Sequence, residues 1–338
     1  MKNEQLLIEQ IAQSLPTGKG SRARRGICLG MGDDAAVIRS SRGMEWVVSC
    51  DQFLEDVHFL ARFHPPEAIG YKALARATSD LAAMGAVPRY FLLSLALPGG
   101  RTSAWLTGFL SGMARAAGQF GMILAGGDTS KFPRVAINIT VMGEVERGLA
   151  VSRSGATVGD LIFVSGTLGG ARLGLELITA VHTVRSPRWK RLLKAHLYPQ
   201  PRIGLGRWLA QRRLASAMID ISDGLSTDLG HICEASRVGA RVWKSKIPLM
   251  GIPGALRRRD LDPLALALHG GDDYELLFTV PAKREHELNA APRGLRLTRI
   301  GEISKEKRMV LCDASGRERR LEPQGWDPFR RLRIRQGA

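Results

Sequence analysis

The chain has 338 residues, of which 44% are hydrophobic, and it carries a formal net charge of +17. This length is about that of two domains of ~150 residues, and the apolar fraction is ample for folded cores, which excludes a disordered chain. No apolar run approaches the ~18 residues of a membrane span, and the first residues, MKNEQLLIEQIAQSL, have the pattern of an amphipathic helix rather than a signal peptide. A cytoplasmic protein is therefore expected.

The cysteines and the basic residues narrow the chemistry further. Cys28, Cys50, Cys233 and Cys312 lack CxxC spacing, so neither a zinc site nor a disulfide framework is indicated. The positive charge favours a polyanionic partner, either nucleic acid or a phosphorylated small molecule. The basic runs, such as RERR at 317–320, have little aromatic interleaving and no recognisable nucleic-acid module. A nucleic-acid-binding protein therefore stays an alternative that rests on net charge alone.

The predicted elements, taken in chain order, form two α/β halves. In the first half, helices are predicted at 3–14, 66–84 and 102–119, and strands near 27–29, 46–49, 91–97, 122–125 and 135–142. The second half opens with a strand at 160–166, a glycine-rich turn and a helix at 170–180, followed by mixed helices and strands. This alternation is typical of α/β or α+β domains. We expect one domain at 1–148 and a second at 149–338.

The segment GMGDDAAV, at 30–37, raises the question of how a phosphate would be bound. Its glycines and Ala35 match the letters of the dinucleotide-binding fingerprint, but that fingerprint requires a helix to follow. Here short strands are predicted instead, and Asp33 and Asp34 would repel a phosphate. The acidic pair therefore either caps a turn or holds a cation. The Walker motif of P-loop proteins and the HRD motif of protein kinases are both absent from the sequence.

Further carboxylates lie at or just after short apolar strands, at Asp51, Asp128 and Asp220, and Asp223 follows in a strand-to-helix loop. Several carboxylates cannot share a pocket uncompensated, because like charges at close range raise each other's pKa and oppose folding. Hard oxygen ligands without histidine or cysteine partners select Mg²⁺. If these segments converge, we therefore expect a magnesium site.

The helix predicted at 66–84 carries a polar stripe of Lys72, Arg76 and Asp80 at i, i+4 and i+8, opposite an apolar face. Taken alone, the stripe is interpreted as ion pairing along the helix surface, which contributes ~0.3–0.5 kcal/mol per pair.

Nine segments of the chain closely resemble, in this order, the thiamine-monophosphate kinase family of the aminoimidazole-ribonucleotide-synthetase superfamily. They are GMGDDAAV, SCDQFLEDVHF, KALARATSDLAAMGAVPRYFLLSLALP, LAGGDTS, VSGTLGGARLGLEL, LYPQPRIGLG, IDISDGLSTDLGHI, HGGDDYELLFTVP and GWDPF. The resemblance covers roughly residues 26–330. It implies a two-domain aminoimidazole-ribonucleotide-synthetase-like fold of α/β (α+β) class, with an N-terminal domain at 1–148 that binds ATP and Mg²⁺ and forms a homodimer.

The resemblance also implies roles for individual residues. Mg²⁺ ligands are implied at Asp33, Ser49, Asp51, Asp80, Asp128, Asp220 and Asp223. ATP contacts are implied at Gly127, Asp128, Arg153 and Ser222, and thiamine monophosphate contacts at His58, Asp272 and Trp326. No residue matches a covalent nucleophile. The implied reaction is Mg²⁺-dependent phosphorylation of thiamine monophosphate to thiamine diphosphate by direct in-line transfer of the γ-phosphate of ATP. Neither a membrane nor a specific nucleic acid is expected as a partner.

Some positions depart from the family pattern or have a second interpretation. Cys50 stands where Thr is frequent, Asp272 replaces a common Glu, and Trp326 stands where Tyr is also found. By pattern alone, His58 is interpreted as an ordinary half-buried histidine. Trp326 is interpreted equally well as an anchor of the C-terminal tail or as a substrate contact. The glycine turn at 166–170 either cradles a phosphate at a helix N-terminus or permits close packing.

The alternative within the superfamily is another ATP-dependent synthetase or maturation enzyme that acts on a different substrate. The segments EDVHF and GWDPF argue against it, as does the absence of the C-terminal cysteine used by the hydrogenase-maturation relative.

Overall fold

The computed structural model describes residues 13–14, 27–29, 37–38, 43–180 and 189–327. The helix predicted at 3–14 is described only at its last two residues, and Asp33 lies outside the described residues. Among the helices that are described, none combines the length and the apolarity of a membrane span.

The described part of the chain contains seven α-helices and thirteen strands. The helices are α1 (Pro66–Ala83), α2 (Ala104–Phe120), α3 (Gly170–Ala180), α4 (Lys190–Leu197), α5 (Ile203–Gln211), α6 (Leu225–Ser236) and α7 (Pro263–His269). The strands are β1 (Ile27–Leu29), β2 (Val37–Ile38), β3 (Met44–Leu54), β4 (Val87–Leu97), β5 (Ile123–Lys131), β6 (Ala136–Glu146), β7 (Leu161–Ser165), β8 (Ala217–Asp220), β9 (Gly239–Trp243), β10 (Leu276–Val280), β11 (Leu297–Ser304), β12 (Met309–Cys312) and β13 (Glu318–Arg320). Short 3₁₀ helices lie at Gly99–Arg101, Lys244–Lys246, Gly254–Arg259 and Ala282–Ala290.

The first half folds around a four-stranded sheet in the order β3-β6-β4-β5. β6 is antiparallel to both of its neighbours, and β4 and β5 run parallel. Buried residues alternate along most of β6, which is the pattern of a sheet with one face on the core. α1 packs on that face and α2 packs against α1. Leu74, Phe91, Phe109 and Ile139 belong to the buried core that results.

The second half folds around a seven-stranded sheet in the order β13-β12-β9-β11-β7-β10-β8. Its neighbouring strands are antiparallel except for β9 and β12, which are parallel. Every residue of β7 and β10 is buried, because apolar groups cover both faces of the sheet. Ile162 and Val164 pack into one core, whereas Leu161 and Phe163 pack into another. Burial on both faces explains the uninterrupted apolar sequences LIFV and LLF in these strands.

The two halves meet where α5 lies against α1. Gly206 of α5 lies so close to α1 that a Cβ at this position would be 1.9 Å from the carbonyl oxygen of Ala82. At the same contact, a Cβ on Gly85 would lie 2.4 Å from the Cβ of Ala210. Glycine at these two positions therefore allows the close approach of the two halves.

Most predicted elements are present within the described residues, but the four strands of the first sheet are longer than predicted, and two of them contain predicted site residues. The strand predicted at 46–49 is part of β3, which has 11 residues, so Asp51 lies within a strand. The strand predicted at 122–125 continues to Lys131 as β5, so Asp128 also lies in a strand and not in a loop. Pairing with β6 and β4 supplies the backbone partners that extend both strands. The predicted boundary at 148 falls between β6 and β7 and stays a prediction.

Substituting Gly206 by Ala should lower the free energy of unfolding by about 1–3 kcal/mol, because the new Cβ collides with the backbone of α1. Gly204 lies in the same helix and has no atom within 4 Å of its Cβ position. Gly204→Ala is therefore the matched control and should stabilise the protein by about 0.5 kcal/mol through its higher helix propensity. Urea denaturation measures both effects, and equal stability of the two variants would contradict the close helix contact.

Candidate active site

A cavity of about 320 Å³ lies between the two halves of the protein. α1, β3 and the segment after β3 form its wall on the first half, and the loops that follow β8 and precede β10 form its wall on the second. The acidic residues that line it are Asp51, Asp80, Asp220, Asp223 and Asp272. Its other lining residues include His58, Arg76, Ser222, Tyr274 and Trp326. The structure therefore brings together, in one cavity, residues predicted for metal, ATP and thiamine contacts.

The polar stripe of α1 faces this cavity and does not form the predicted ion pairs along the helix. Arg76 binds both carboxylate oxygens of Asp51 on β3, with N–O distances of 2.7 and 3.0 Å. Asp80 accepts a hydrogen bond of 2.5 Å from the Ser49 hydroxyl. Lys72 reaches into the second half, where its Nζ lies 2.7 Å from Oδ2 of Asp272. The interpretation of the stripe as surface ion pairing is wrong, because each side chain has a partner on another segment.

Two of the predicted metal ligands are strongly buried carboxylates. Burial raises the pKa of Asp80. Burial, and then the charge of Asp80, raise the pKa of Asp220 to about 7. The Oδ2 atom of Asp220 is buried and has no hydrogen-bond partner within the described residues. A buried acceptor without a donor is costly, so this oxygen fits a bound cation.

The cavity offers carboxylate oxygens from Asp51, Asp80, Asp220 and Asp223, and the Ser49 hydroxyl lies beside Asp80. Hard oxygen donors suit Mg²⁺, which also keeps water and phosphate oxygens in its coordination shell. The residues present therefore fit a magnesium site.

His58 and Trp326 form the aromatic part of the cavity wall, with ring centroids 6.3 Å apart. Nδ1 of His58 accepts the backbone N–H of Leu54 at 3.0 Å, so its neutral ring carries the proton on Nε2. Burial, and then the charge of Arg76, lower the pKa of His58 to about 4. His58 is therefore a neutral ring near pH 7, with one N–H to donate.

The backbone of Trp326 is hydrogen-bonded to the loop that follows β8. Its backbone N–H donates to the carbonyl oxygen of Asp223 at 3.0 Å, while 49% of the residue is exposed. Gly325 permits this approach, because a Cβ there would lie 2.0 Å from the same carbonyl oxygen. The tail is therefore anchored through the main chain, which leaves the indole ring at the cavity.

In the loop GGDDYEL before β10, Asp272 lines the cavity, whereas Asp273 is hydrogen-bonded to backbone N–H groups. Asp272 and Tyr274 have φ angles of 62° and 50°, in the left-handed region that non-glycine residues rarely adopt. Backbone hydrogen bonds of 2.7 Å to Ser222 and 2.9 Å to Ile221 hold these conformations. The carboxylate of Asp273 accepts the N–H groups of Gly169 and Ala171, at the start of α3.

Asp273 thereby decides between the two interpretations of the glycine turn at 166–170. Its carboxylate already accepts hydrogen bonds from the N–H groups that would bind a phosphate at this helix terminus. Gly166 lies against Glu275, where a Cβ would be 2.1 Å from a carboxylate oxygen. Close packing therefore accounts for these glycines.

Asp128 and Gly127 are the predicted site residues that β5 places apart from the cavity. The register puts Asp128 in one row with Ser94, Asn138 and Gln52, whereas Asp51 lies in the adjacent row with Ile139. Since successive residues of a strand point to opposite faces, Asp128 lies on the outer face of the sheet and Asp51 on the face covered by α1.

Gly127 has a structural reason to be glycine, because a Cβ there would lie 1.8 Å from the carbonyl oxygen of Leu93. Cys50 also lies on the outer face, where its thiol contacts Asn138. Arg153 is exposed. Burial raises the pKa values of Asp80 and Asp220, and the positive charge of Arg153 offsets part of that rise.

Comparison with known proteins places the chain in a family. Two family models match it: the N-terminal domain of AIR synthase related protein at residues 32–145, and the C-terminal domain of AIR synthase related protein at residues 157–313. The thiamine-monophosphate kinase of Bacillus subtilis (strain 168) is 36% identical over 308 residues, which are 89% of this chain and 94% of that protein. The thiamine-monophosphate kinase of Escherichia coli (strain K12) is 38% identical over 312 residues, 91% and 94% of the two chains. The chain belongs to the thiamine-monophosphate kinase family.

Solved structures agree with this assignment. The thiamine-monophosphate kinase of Stenotrophomonas maltophilia K279a has a TM-score of 0.77 at 38% identity, and the alignment covers 90% of this chain and 95% of that one. The structure of AaThiL complexed with AMPPCP and TMP has a TM-score of 0.76 at 33% identity and covers 97% and 99%. Hydrogenase maturation protein HypE of E. coli, at 22% identity and a TM-score of 0.74, shares the fold alone. The predicted family and the predicted two-domain α/β fold are confirmed.

Sequence reasoning did not assign a role in the site to Arg76, Lys72, His196 or Tyr274, although they line or adjoin the cavity. For Lys72 and Arg76, the signal was their spacing with Asp80 on a helix that is otherwise almost wholly apolar. Tyr274 and His196 gave no signal of their own, because buried tyrosines and histidines are common in cores.

A pair of buried histidines joins the two halves behind Asp272. Nε2 of His64 and Nε2 of His196 are 2.8 Å apart, and both residues are buried. Burial, and to a smaller extent the charge of Lys72, lower the pKa of His64 to about 4. The same causes lower the pKa of His196 well below its ordinary value. Both rings are therefore neutral at pH 7.

Acidification from pH 7 to pH 5 should destabilise the protein by about 2 kcal/mol more than it destabilises a His64→Gln variant. The unfolded chain binds a proton on His64 at its ordinary pKa of 6.5, whereas the folded chain does so only near pH 4. The stability contributed by the neutral ring is therefore present above pH 6.5 and lost as the pH falls toward 4.

Urea denaturation of both proteins at pH 7 and pH 5 measures this difference. The other titrating groups are shared by the two chains, and those remote from His64 cancel in the comparison, whereas His196 changes its partner. An identical loss of stability in both proteins would contradict the depressed pKa of His64.

Proposed function

We propose that this protein transfers the γ-phosphate of ATP to thiamine monophosphate and produces thiamine diphosphate and ADP. The observation that carries the proposal is the single cavity in which buried carboxylates lie beside an aromatic pair. Asp80, Asp220 and Asp223 suit a metal–phosphate complex, and His58 and Trp326 suit a flat, cationic heterocycle. The relatives named thiamine-monophosphate kinase, and the related structure that holds AMPPCP and TMP, support the same assignment.

The metal in this proposal is Mg²⁺. Asp80, Asp220 and Asp223 hold it, together with Ser49 and Asp51, and the buried Oδ2 of Asp220 supports their assignment. Bound Mg²⁺ supplies charge compensation for the phosphate chains and for the phosphoryl group in transfer. Asp33 and Asp128 stay predicted ligands, Asp33 outside the described residues and Asp128 on the outer sheet face.

The nucleotide in this proposal contacts Ser222, Arg153, Gly127 and Asp128. Ser222 lines the cavity, and the positive charge of Arg153 lies near Asp80 and Asp220. The last two residues lie on β5, where Asp128 is on the side of the sheet away from α1.

Thiamine monophosphate needs no strong base from the protein, because a phosphate monoester is already ionised near pH 7. One of its phosphate oxygens forms a bond to the γ-phosphorus of ATP as the bond from that phosphorus to the bridging oxygen of ADP breaks. In this proposal, Nε2–H of His58 and the carboxylate of Asp272 contact the thiamine moiety, and the Trp326 ring covers it. Direct transfer needs no phosphorylated residue, and none is proposed.

The protein also acts as a homodimer in this proposal, through the outer face of the sheet β3-β6-β4-β5. This face exposes Val48 to 58% and includes partly buried Trp46 and Met142. α1 covers the opposite face only. The apolar part of this face suits a second copy of the chain, and Asp128 lies on the polar part of the same face. Sedimentation at micromolar concentration tests this, and a single-chain mass would contradict it.

No observation favours the alternatives as strongly. HypE shares the fold alone, so a maturation activity has no support beyond the architecture. A nucleic-acid-binding role rests on the net charge of +17. We place the enzyme in the cytoplasm, where ATP is available.

Purified protein with ATP, Mg²⁺ and thiamine monophosphate should form thiamine diphosphate, resolved by chromatography. Asp80→Asn and Asp223→Asn keep the side-chain size but remove a charge from an electrostatic site, so kcat should fall by roughly 10²-fold or more. Asp260→Asn, in an exposed loop, is the matched control and should keep full activity. Folded wild-type protein that forms no product would refute the function, and near-wild-type turnover of both variants at saturating Mg²⁺ would refute the metal assignment.

Replacing Trp326 by Ala should raise KM for thiamine monophosphate by about 3- to 30-fold, because an indole face attracts a cationic ring by roughly 0.5–2 kcal/mol. KM for ATP should stay nearly unchanged, and Trp326→Phe should restore most of the affinity. Steady-state kinetics and thermal melting of both variants provide the measurements. A lower melting temperature with both KM values unaltered would show that the ring serves only to anchor the tail.

A further inference from the structure

Lys72 is a buried cation that neither the metal site nor the family motifs assign to a task. Only 1% of the residue is exposed, although it lies on α1, whose Arg76 and Asp80 line the cavity. Its Nζ is 2.7 Å from Oδ2 of Asp272, a residue of the other half of the protein. The pair therefore crosses the boundary between the halves at the floor of the site.

A chain of hydrogen bonds fixes Nζ of Lys72 from behind. Nζ lies 3.4 Å from Nδ1 of His196, whose Nε2 lies 2.8 Å from Nε2 of His64. Nδ1 of His64 lies 2.9 Å from the carbonyl oxygen of Leu60. A charged lysine only donates, so the chain has one consistent direction: Lys72 donates to His196, His196 to His64, and His64 to Leu60. Two of the three N–H groups of Lys72 thus have partners, Asp272 and His196, which restricts the movement of Nζ.

Asp272 is held from its other side as well. The Tyr274 hydroxyl donates to Oδ1 of Asp272 at 2.7 Å, and both residues have positive φ angles. The side chain of Asp272 is nevertheless 32% exposed, toward the cavity that it lines. Each carboxylate oxygen thus has one donor from the protein and retains a lone pair for a ligand.

Net stability is a poor explanation for such a pair. Desolvating two charges costs about as much as their attraction returns, and apolar replacements of buried ion pairs are often neutral or stabilising. The other two members of the stripe, Arg76 and Asp80, both line the cavity. A role in the site therefore accounts for Lys72 better than a role in the core.

We propose that Lys72 is a positioning residue for the reaction: through its ion pair across the two halves, it orients the Asp272 carboxylate toward the thiamine moiety of the acceptor. This inference rests on the proposed function and deepens it. Lys72 is buried and is not among the residues that line the cavity, so we expect its effect to be confined to acceptor binding through Asp272. The pair also compensates the short arm of Asp272, because Lys72 and Tyr274 together fix where that arm points.

The test is a double-mutant cycle on the purified full-length enzyme with Lys72→Met, Asp272→Asn and the double variant. Lys72→Met keeps an unbranched side chain in the buried position but removes the donor, and it should raise KM for thiamine monophosphate about tenfold. KM for ATP should change by less than about twofold. Lys190→Met, at an exposed position of α4, is the matched control and should leave both KM values unaltered.

The decisive result is the coupling between the two positions. If Lys72 acts through Asp272, adding Lys72→Met to Asp272→Asn should raise KM for thiamine monophosphate by less than about threefold. Effects that multiply fully would overturn the inference, and so would equal rises in both KM values. A purely structural lysine would lower the melting temperature without separating the two KM values.

Tyr274→Phe tests the same arrangement if Lys72→Met does not fold. It removes only the second donor to Asp272 and should raise KM for thiamine monophosphate by about threefold, with KM for ATP unchanged. An unchanged KM for thiamine monophosphate in Tyr274→Phe would overturn the inference in that case. A wild-type enzyme that forms no thiamine diphosphate would instead refute the proposed function itself.

Discussion

Negative charge enclosed between two halves of the protein is the constraint on which the rest of the structure depends. Burial raises the pKa values of Asp80 and Asp223, and with the charge of Asp80 it brings the pKa of Asp220 to about 7. α1 compensates part of this charge, because Arg76 binds Asp51 and Lys72 binds Asp272. Oδ2 of Asp220 has no donor in the described part of the chain. The remaining charge therefore calls for a cation that the protein does not supply.

α1 can hold Arg76 and Lys72 against these carboxylates only because its other sides are packed against the rest of the protein. Its apolar residues belong to the core of the first sheet, and its C-terminal end lies against α5 at Gly206. Its stripe then contacts β3 through Arg76 and Asp80, and the second half through Lys72. A displacement of α1 by one side-chain width would break all these contacts together. The helix is thus both the main contact between the halves and the floor of the site, which ties the geometry of the site to the packing of the core.

Periodicity predicted most of the fold but only part of the site. Both halves, α1 to within one residue, and the buried strand at β7 follow from local apolar patterns, which the sheets reproduce. Asp51 and Asp128 were both expected to follow strands, whereas non-local pairing with β6 and β4 places them within strands and on opposite faces. The partners of Lys72 and Arg76 were missed for the same reason. Asp272 is 200 positions from Lys72, and no local pattern encodes that contact.

The charge of the whole protein and the charge of the site have opposite signs, and this contrast bears on how phosphates enter. The chain carries +17, yet five aspartates and two arginines line the cavity. A bare polyphosphate, or a nucleic-acid backbone, would be attracted to the basic surface and repelled inside the cavity. A nucleotide bound to divalent cations would instead be attracted into the cavity, because the carboxylates attract the metal ions that accompany its phosphates. In the proposed function, the neutral ring of His58 and the exposed indole of Trp326 would add contacts to a cationic heterocycle, a group that a nucleic acid lacks. The electrostatics of the cavity thus favour a metal–nucleotide complex and a cationic acceptor over a polyanionic chain.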